Sequence, residues 1–196
     1  LKREDRLHAE VSGNKFRKLK YNLLEAQKLA KNSLLTFGGA YSNHITATAA
    51  AGRLAGFKTN GVIRGEELGR DLQKTLQQNP SLKFADSCGM QLHFVSREEY
   101  REKNSEEFLG KLKSKFGDFY LLPEGGTNAL AVKGSEEILS PVDNDFDFVA
   151  CAVGTGGTIG GIINASAENQ ICLGFPALKG DFLSAEIEKF SNKKNW

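Results

Sequence analysis

Residues 147–167 read DFVACAVGTGGTIGGIINASA, and this stretch decides the fold class. Its first part, from Asp147 to Val153, is almost continuously apolar, as expected for a central strand of a parallel sheet. A glycine-rich turn follows at once, and an apolar helical pattern begins near Ile159. A buried strand, a glycine turn and a helix in this order predict one unit of an α/β protein.

The same alternation of strand and helix extends over the rest of the chain. Short apolar runs predict strands at 34–37, 57–63, 91–95, 119–122 and 171–175. Helical spacing or capping residues predict helices at 18–30, 42–56, 68–88 with a break at Asn79-Pro80, 97–115 as a charged surface helix, 129–139 and 182–190. The fold class is therefore α/β, with parallel sheets that helices cover on both faces.

Composition excludes several classes of function. The chain has 196 residues, 40% of them hydrophobic, and a formal net charge of +2, which argues against disorder and against nucleic acid as a partner. No apolar run reaches about 18 residues, so no membrane span is expected. The three cysteines, Cys88, Cys151 and Cys172, show no CxxC spacing, which favours buried thiols in a reducing cytoplasm over disulfides or a metal site.

The glycine turn at 154–158 is the first candidate site. Glycines allow close approach of a ligand, and the amides of the following helix offer a place for a phosphate. A Walker loop would end in Gly-Lys-Ser/Thr, and a dinucleotide fingerprint would have glycine where Ile159 stands. The loop therefore favours a phosphate monoester, with a tight packing turn as the alternative.

The second candidate is Lys15, in the basic segment SGNKFRKLKY at residues 12–21. A turn at Gly13-Asn14 could direct this lysine into a cleft, where a lowered pKa would make it a Schiff-base nucleophile. The alternative is the start of an ordinary basic surface helix.

Two further glycine turns precede predicted helices. The segment FGGAYSNH carries Ser42, Asn43 and His44 to a helix start that could bind a carboxylate, although simple capping by Ser42 or Asn43 is the alternative. His44 taken alone favours a structural role. The segment PEGGTN at 123–128 is interpreted as a connection between subdomains.

A reactive lysine, a polar helix start and a phosphate-sized loop together are what pyridoxal 5′-phosphate requires of a protein. The segments SGNKFRKLKY, FGGAYSNHITATAAAG, PEGGTNALAVKG and AVGTGGTIGGI also stand in one characteristic order. In these motifs the chain resembles the 1-aminocyclopropane-1-carboxylate deaminase and D-cysteine desulfhydrase family, within the tryptophan-synthase-β-like (fold type II) pyridoxal phosphate enzymes.

The resemblance implies a role for each matching residue. Lys15 corresponds to the lysine that carries the cofactor and moves protons, and Lys18 to a lysine near the cofactor phosphate. Asn43 corresponds to the partner of the pyridoxal ring hydroxyl. Ser42, with Asn43 and His44, corresponds to the substrate-carboxylate site, Ser42 also as a catalytic residue. The phosphate loop corresponds to Gly154, Thr155, Gly156, Gly157 and Thr158.

The resemblance also implies an organisation and an activity. A large cofactor domain would contain residues 1–32 and 124–196 and be incomplete at both ends, with a small α/β domain at 33–123 inserted into it. A homodimer and a small amino-acid substrate are expected, either D-cysteine or 1-aminocyclopropane-1-carboxylate. Alternatives are β-replacement or racemase activity, a nucleotide-dependent oxidoreductase, and a non-catalytic ligand-binding relative.

Overall fold

The computed structural model describes residues 1–177 and 182–196, and the described residues divide into two compact units. The first unit contains Leu1–Leu7, Ser12–Asn22 and Gly126–Trp196, and the second contains His8–Val11 and Leu23–Gly125. Helix α1 (Asn14–Lys28) is divided between them, whereas the sequence interpretation assigned it wholly to 1–32. The assignment of residues 33–123 as an inserted domain stays a prediction.

The second unit is built around a four-stranded parallel sheet in the order β3-β2-β1-β4. Its strands are β1 (Ser33–Gly39), β2 (Lys58–Arg64), β3 (Met90–Val95) and β4 (Tyr120–Leu122). Its other α-helices are α2 (Asn43–Ala55), α3 (Leu72–Gln78), α4 (Pro80–Ser87), α5 (Arg97–Arg101) and α6 (Glu106–Phe116). Helix α2 packs against β1 and β2, and side chains of α5 and α6 pack against Leu35 and Phe37 of β1.

Local sequence signals explain most element ends in this unit. The break predicted at Asn79-Pro80 is confirmed, because the Asn79 side chain accepts a hydrogen bond from the Leu82 amide and starts α4. The single charged helix predicted at 97–115 is wrong. It is two helices, because Ser105 caps a new start, and their apolar residues Tyr100, Phe108 and Leu112 are buried in the core.

The first unit contains a two-stranded parallel sheet with helices packed on it. Its strands are β5 (Phe148–Val153) and β6 (Ile171–Pro176), and its α-helices besides α1 are α7 (Ala129–Glu136), α8 (Gly157–Ala165) and α9 (Phe182–Glu188). Helix α8 packs on the sheet through a core that includes Ile159, Ile163 and Val153. Helices α7 and α8 pack closely against each other.

The expectation that 147–153 is a central strand is not met within the described residues. There β5 pairs with β6 alone. One face of β5 packs on the core, and the other is open, with Phe148 59% exposed. A continuous apolar run cannot report this, because it shows only that both faces of the strand are apolar.

No helix in the described part of the chain is both long and apolar enough to span a membrane. The three cysteines are free thiols: Cys88 and Cys172 are buried, and Cys151 is half-buried.

Candidate cofactor and substrate site

The first turn of α1 places Lys15 in the first unit. Gly13 has a φ of +63°, a backbone conformation that favours glycine, and α1 begins at the next residue. The Asn14 side chain accepts a hydrogen bond from Lys15 Nζ at 3.0 Å and donates one to Thr158 Oγ1 at 2.7 Å. Burial lowers the pKa of Lys15. Asn14 thus connects the amine of Lys15 to Thr158 of the glycine loop.

Lys18 lies one helical turn further along α1 and is only 2% exposed. Its Nζ atom donates a hydrogen bond to Thr127 Oγ1 at 2.7 Å. Burial, together with repulsion from the nearby charge of Lys15, lowers the pKa of Lys18 to about 7. A bound anion would favour the protonated form of this amine.

The glycine loop leads directly into α8. Helix α8 begins at Gly157, and no side chain caps its first amides within the described residues. A Cβ atom on Gly157 would lie 2.8 Å from Thr127 Cγ2 and 3.4 Å from Lys18 Nζ, so a side chain here would enter the space beside these groups. The open amides of a helix start are a favourable place for an anion.

Thr127 is the functional residue that the sequence interpretation missed. Its hydroxyl is bonded to both Lys18 Nζ and the Thr155 hydroxyl. The next residue, Asn128, holds this segment in place, because it caps α7 at the Ala131 amide and donates to Asn22 Oδ1 at 2.7 Å. The PEGGTN motif was the available signal, but it was interpreted only as a connection.

The structure therefore brings six predicted residues together in one unit with Thr127. We call this group the phosphate cradle, consisting of Lys18, Thr127, Gly154, Thr155, Gly156, Gly157 and Thr158. An ammonium group, three hydroxyls and the amides of a helix start match a phosphate monoester in charge and in hydrogen bonding. With Lys15 nearby, these groups fit pyridoxal phosphate.

In the second unit, Ser42 caps α2, as one of the two capping alternatives predicted. Its side chain accepts a hydrogen bond from the Ile45 amide at 3.4 Å. Asn43 is the first residue of the helix, and its side chain is exposed. The first turn of α2 carries no acidic residue, so its amides remain the uncompensated positive end of the helix dipole.

His44 is buried, and its ring is directed toward the sheet. Thr36 Oγ1 lies 2.8 Å from His44 Nε2 and donates to the Leu122 carbonyl oxygen at 3.0 Å. Because the threonine has one hydroxyl proton, Nε2 of His44 is the donor in this pair. The interaction connects α2, β1 and β4, which favours a structural role for the ring.

The start of α2 also lies at the point where the strand order reverses. The chain proceeds from β1 to β2 and β3 on one side, whereas β4 pairs with the other side of β1. Ligands of open parallel sheets bind at the carboxyl ends of strands, at such a point. The roles predicted for Ser42, Asn43 and His44 toward a substrate stay predictions.

The α/β fold and the cradle define an enzyme that uses a phosphorylated cofactor. Residues 1–179 match the pyridoxal-phosphate dependent enzyme family, and the chain belongs to this family. Pyridoxal phosphate is thus its cofactor, and the predicted fold class is confirmed. The dinucleotide alternative is wrong, because the family uses pyridoxal phosphate. Ile159, which stands where that fingerprint would have glycine, is buried in the core.

Individual relatives sharpen this placement. The chain is 35% identical over 175 residues to a bifunctional D-cysteine desulfhydrase/1-aminocyclopropane-1-carboxylate deaminase of Arabidopsis thaliana, covering 83% of this chain and 43% of the relative. It is 39% identical over 170 residues to a putative 1-aminocyclopropane-1-carboxylate deaminase of Thermotoga maritima, covering 83% of this chain and 52% of the relative. The resemblance seen in the motifs is confirmed. The chain spans about half the length of these relatives.

Solved structures show the same fold. The crystal structure of an ACC deaminase homologue superposes with a TM-score of 0.75 at 24% identity, covering 96% of this chain and 58% of that one. The crystal structure of a T.th. threonine deaminase superposes with a TM-score of 0.58 at 22% identity, covering 82% of this chain and 49% of that one.

Proposed function

We propose that the protein is a pyridoxal-phosphate-dependent deaminase or lyase of small amino acids, of the D-cysteine desulfhydrase or 1-aminocyclopropane-1-carboxylate deaminase type. The observation that carries the proposal is the hydrogen-bonded group of Lys18, Thr127 and Thr155 beside the open amides of α8, which Asn14 connects to Lys15 through its bond to Thr158. The names of the two relatives support the choice of substrate class.

The residues of the cradle hold the cofactor by its phosphate. Protonated Lys18 balances the phosphate charge, Thr127, Thr155 and Thr158 donate hydrogen bonds, and the first amides of α8 complete the set. The bound cofactor supplies an electron sink for the charge left at the substrate Cα atom. Lys15 would be the lysine that carries the cofactor, as the resemblance implies, and burial lowers the pKa of its amine in the direction that a Schiff-base nucleophile requires.

The two candidate substrates require different first steps, removal of a Cα proton or opening of the ring. From D-cysteine, neutral Lys15 removes the Cα proton, the Cβ–S bond breaks with loss of sulfide, and water completes the conversion to pyruvate and ammonia. The cyclopropane substrate has no Cα proton, so a base or nucleophile such as Ser42 or Lys15 opens the ring, and water gives 2-oxobutanoate and ammonia. The resemblance implies that Ser42, Asn43 and His44 would bind the substrate carboxylate and that Asn43 would bind the ring hydroxyl of the cofactor.

An assay of product release tests the proposal. The purified protein with pyridoxal phosphate is incubated with a panel of D-amino acids and with 1-aminocyclopropane-1-carboxylate, and ammonia, 2-oxo acid and sulfide are measured. We expect release from D-cysteine or from the cyclopropane substrate, loss of release in Lys15→Ala, and normal release in the control Lys28→Ala at the exposed end of α1. Racemisation or β-replacement without ammonia would contradict the proposal, and so would binding without turnover.

Three further properties are part of the proposal. The first unit would be part of a cofactor domain at 1–32 and 124–196, with the inserted domain at 33–123. A homodimer is expected from the resemblance and is checked by sedimentation velocity. The free thiols of Cys88, Cys151 and Cys172 support a reducing location such as the cytoplasm.

A further inference from the structure

The second unit contains a cavity of about 360 Å³ that is lined mainly by cations. Its lining residues are Arg64, Arg97, Tyr100, Arg101, Lys103 and Glu124. We call it the arginine cavity. Its volume lies at the lower end of the range found for small-molecule sites, roughly 300–1,000 Å³. It shares no residue with the phosphate cradle or with the start of α2.

The positive charge around the arginine cavity is not compensated. Within the described residues, Arg64, Arg97 and Arg101 form no ion pair, whereas Arg17 and Arg53 are each paired with glutamate. Glu124 is the one carboxylate of the lining, and it pairs with Lys103 at 3.4 Å. Three guanidinium groups around one cavity repel each other unless an anion lies between them.

Two cations of the cavity lie against the buried ring of Tyr100. Tyr100 is 3% exposed and packs edge-on against Phe37 of β1, with ring centroids 6.2 Å apart. The Arg64 guanidinium lies 5.7 Å from the centre of the Tyr100 ring, and Lys103 Nζ lies 5.1 Å from it. Such contacts orient cations without neutralising their charge.

The Tyr100 hydroxyl is a further polar group at the cavity. It is buried and makes no well-formed hydrogen bond to any described residue, although the Glu124 carboxylate is near it. Burial and this carboxylate raise the pKa of Tyr100, so the phenol keeps its proton. A buried hydroxyl without a hydrogen bond costs stability, and an anion in the cavity would accept a hydrogen bond from this phenol.

We propose that the arginine cavity is a binding site for a small oxyanion, a phosphate or a carboxylate group. A guanidinium group donates two parallel hydrogen bonds to two oxygens of a phosphate or a carboxylate. Arg64 is the last residue of β2, so the site lies at the carboxyl edge of the sheet, where ligands of parallel sheets bind. The site is independent of the proposed activity.

Titration with inorganic phosphate, followed by the NMR signals of the arginine Nε–H groups, tests the proposal. The protein is first saturated with pyridoxal phosphate, so that the cradle is filled and only the arginine signals report on the cavity. We expect saturable shifts of Arg64, Arg97 and Arg101, with Arg6 and Arg70 unchanged. Equal shifts at all arginines, or none, would overturn the proposal whatever the enzymatic activity.

Variants then measure the contribution of the lining. In Arg64→Gln/Arg101→Gln we expect the Kd for phosphate to rise at least about tenfold, and in the charge-matched control Arg6→Gln/Arg70→Gln to change less than about twofold. Tyr100→Phe should raise the Kd for phosphate about three- to tenfold, because one hydrogen-bond donor is lost. A parallel titration with malonate distinguishes the ligand classes: tighter binding of either anion assigns its class. An equal response of both double variants would contradict the site.

Discussion

The Nζ atom of Lys18 lies 2.7 Å from Oγ1 of Thr127, and this hydrogen bond connects α1 to the segment before α7. The same threonine hydroxyl contacts that of Thr155 in the glycine loop. Three segments far apart in the sequence therefore meet at one hydroxyl. In the proposed cofactor site, this hydroxyl would position the ammonium group and the loop together.

Replacing Thr127 by valine removes the hydroxyl and keeps the shape of the side chain. We expect Thr127→Val to weaken the binding of pyridoxine 5′-phosphate, which cannot react with Lys15, about tenfold or more, because Lys18 and Thr155 lose a shared partner. Thr127→Ser, which restores the hydroxyl, should recover most of the affinity. Fluorescence titration measures both, and equal affinity of the valine and serine variants would contradict this role.

Lys18 should make the stability of the ligand-free protein depend on pH. Its pKa is about 7 in the fold and about 10.4 in an unfolded chain. Between these values the unfolded chain binds more protons, so the contribution of Lys18 to the free energy of unfolding rises as the pH increases from about 7 to about 10. Urea unfolding at several pH values measures it.

The variant Lys18→Met isolates this contribution, because it keeps the length of the side chain and removes the amine. As the pH rises, the free energy of unfolding of the wild type should increase relative to that of Lys18→Met. Added pyridoxine 5′-phosphate should reduce this pH dependence, because the phosphate keeps Lys18 protonated. A difference that is constant from pH 6 to about 10 would show that Lys18 keeps an ordinary pKa.

Two glycines of the loop, Gly157 and Gly154, provide a test variant and its control. A Cβ atom on Gly157 would meet Thr127 and Lys18, whereas one on Gly154 would have no atom within 4 Å. Gly157→Ala should therefore lower the affinity for pyridoxine 5′-phosphate about tenfold or more, and Gly154→Ala should change it little. Calorimetric titration gives both values. The reverse order would show that the phosphate does not bind beside Gly157.

A second pair of glycines tests the packing of α1 on α7. A Cβ atom on Gly134 of α7 would lie 2.1 Å from the Arg17 carbonyl oxygen, a backbone atom, so the two helices would have to separate. We expect Gly134→Ala to lower the free energy of unfolding by about 1–3 kcal/mol or more. Gly110→Ala in α6 meets nothing within 4 Å and should raise it by about 0.5–1 kcal/mol. Urea unfolding compares them.

The sequence was a good guide to whatever depends on neighbouring residues. The glycine before Lys15, the cap at Ser42 and the break at Asn79-Pro80 act within a few residues, and each is present in the structure. The glycine loop was found because a strand, a turn and a helix follow one another directly.

Properties that depend on distant residues were not accessible in this way. Thr127 belongs to the cradle because Lys18, 109 residues earlier, reaches its hydroxyl, and no local pattern shows this contact. The burial of Tyr100, Phe108 and Leu112 in helices predicted to lie on the surface likewise depends on core partners such as Leu35 and Phe37. The division of 97–115 had a local signal, the cap at Ser105, which the charge pattern concealed. The arginine cavity joins the last residue of β2 with residues that follow β3 and β4, so it appears only in the folded unit.

The central claim is that Lys15 carries the cofactor beside a phosphate cradle, and chemical trapping tests it most directly. Sodium borohydride reduces the bond between pyridoxal phosphate and the lysine that holds it, and peptide mass spectrometry then locates the modified residue. The account predicts one phosphopyridoxyl group, on Lys15, and none in Lys15→Ala. A group on Lys18 or another lysine, or no modification of the wild type, would contradict it.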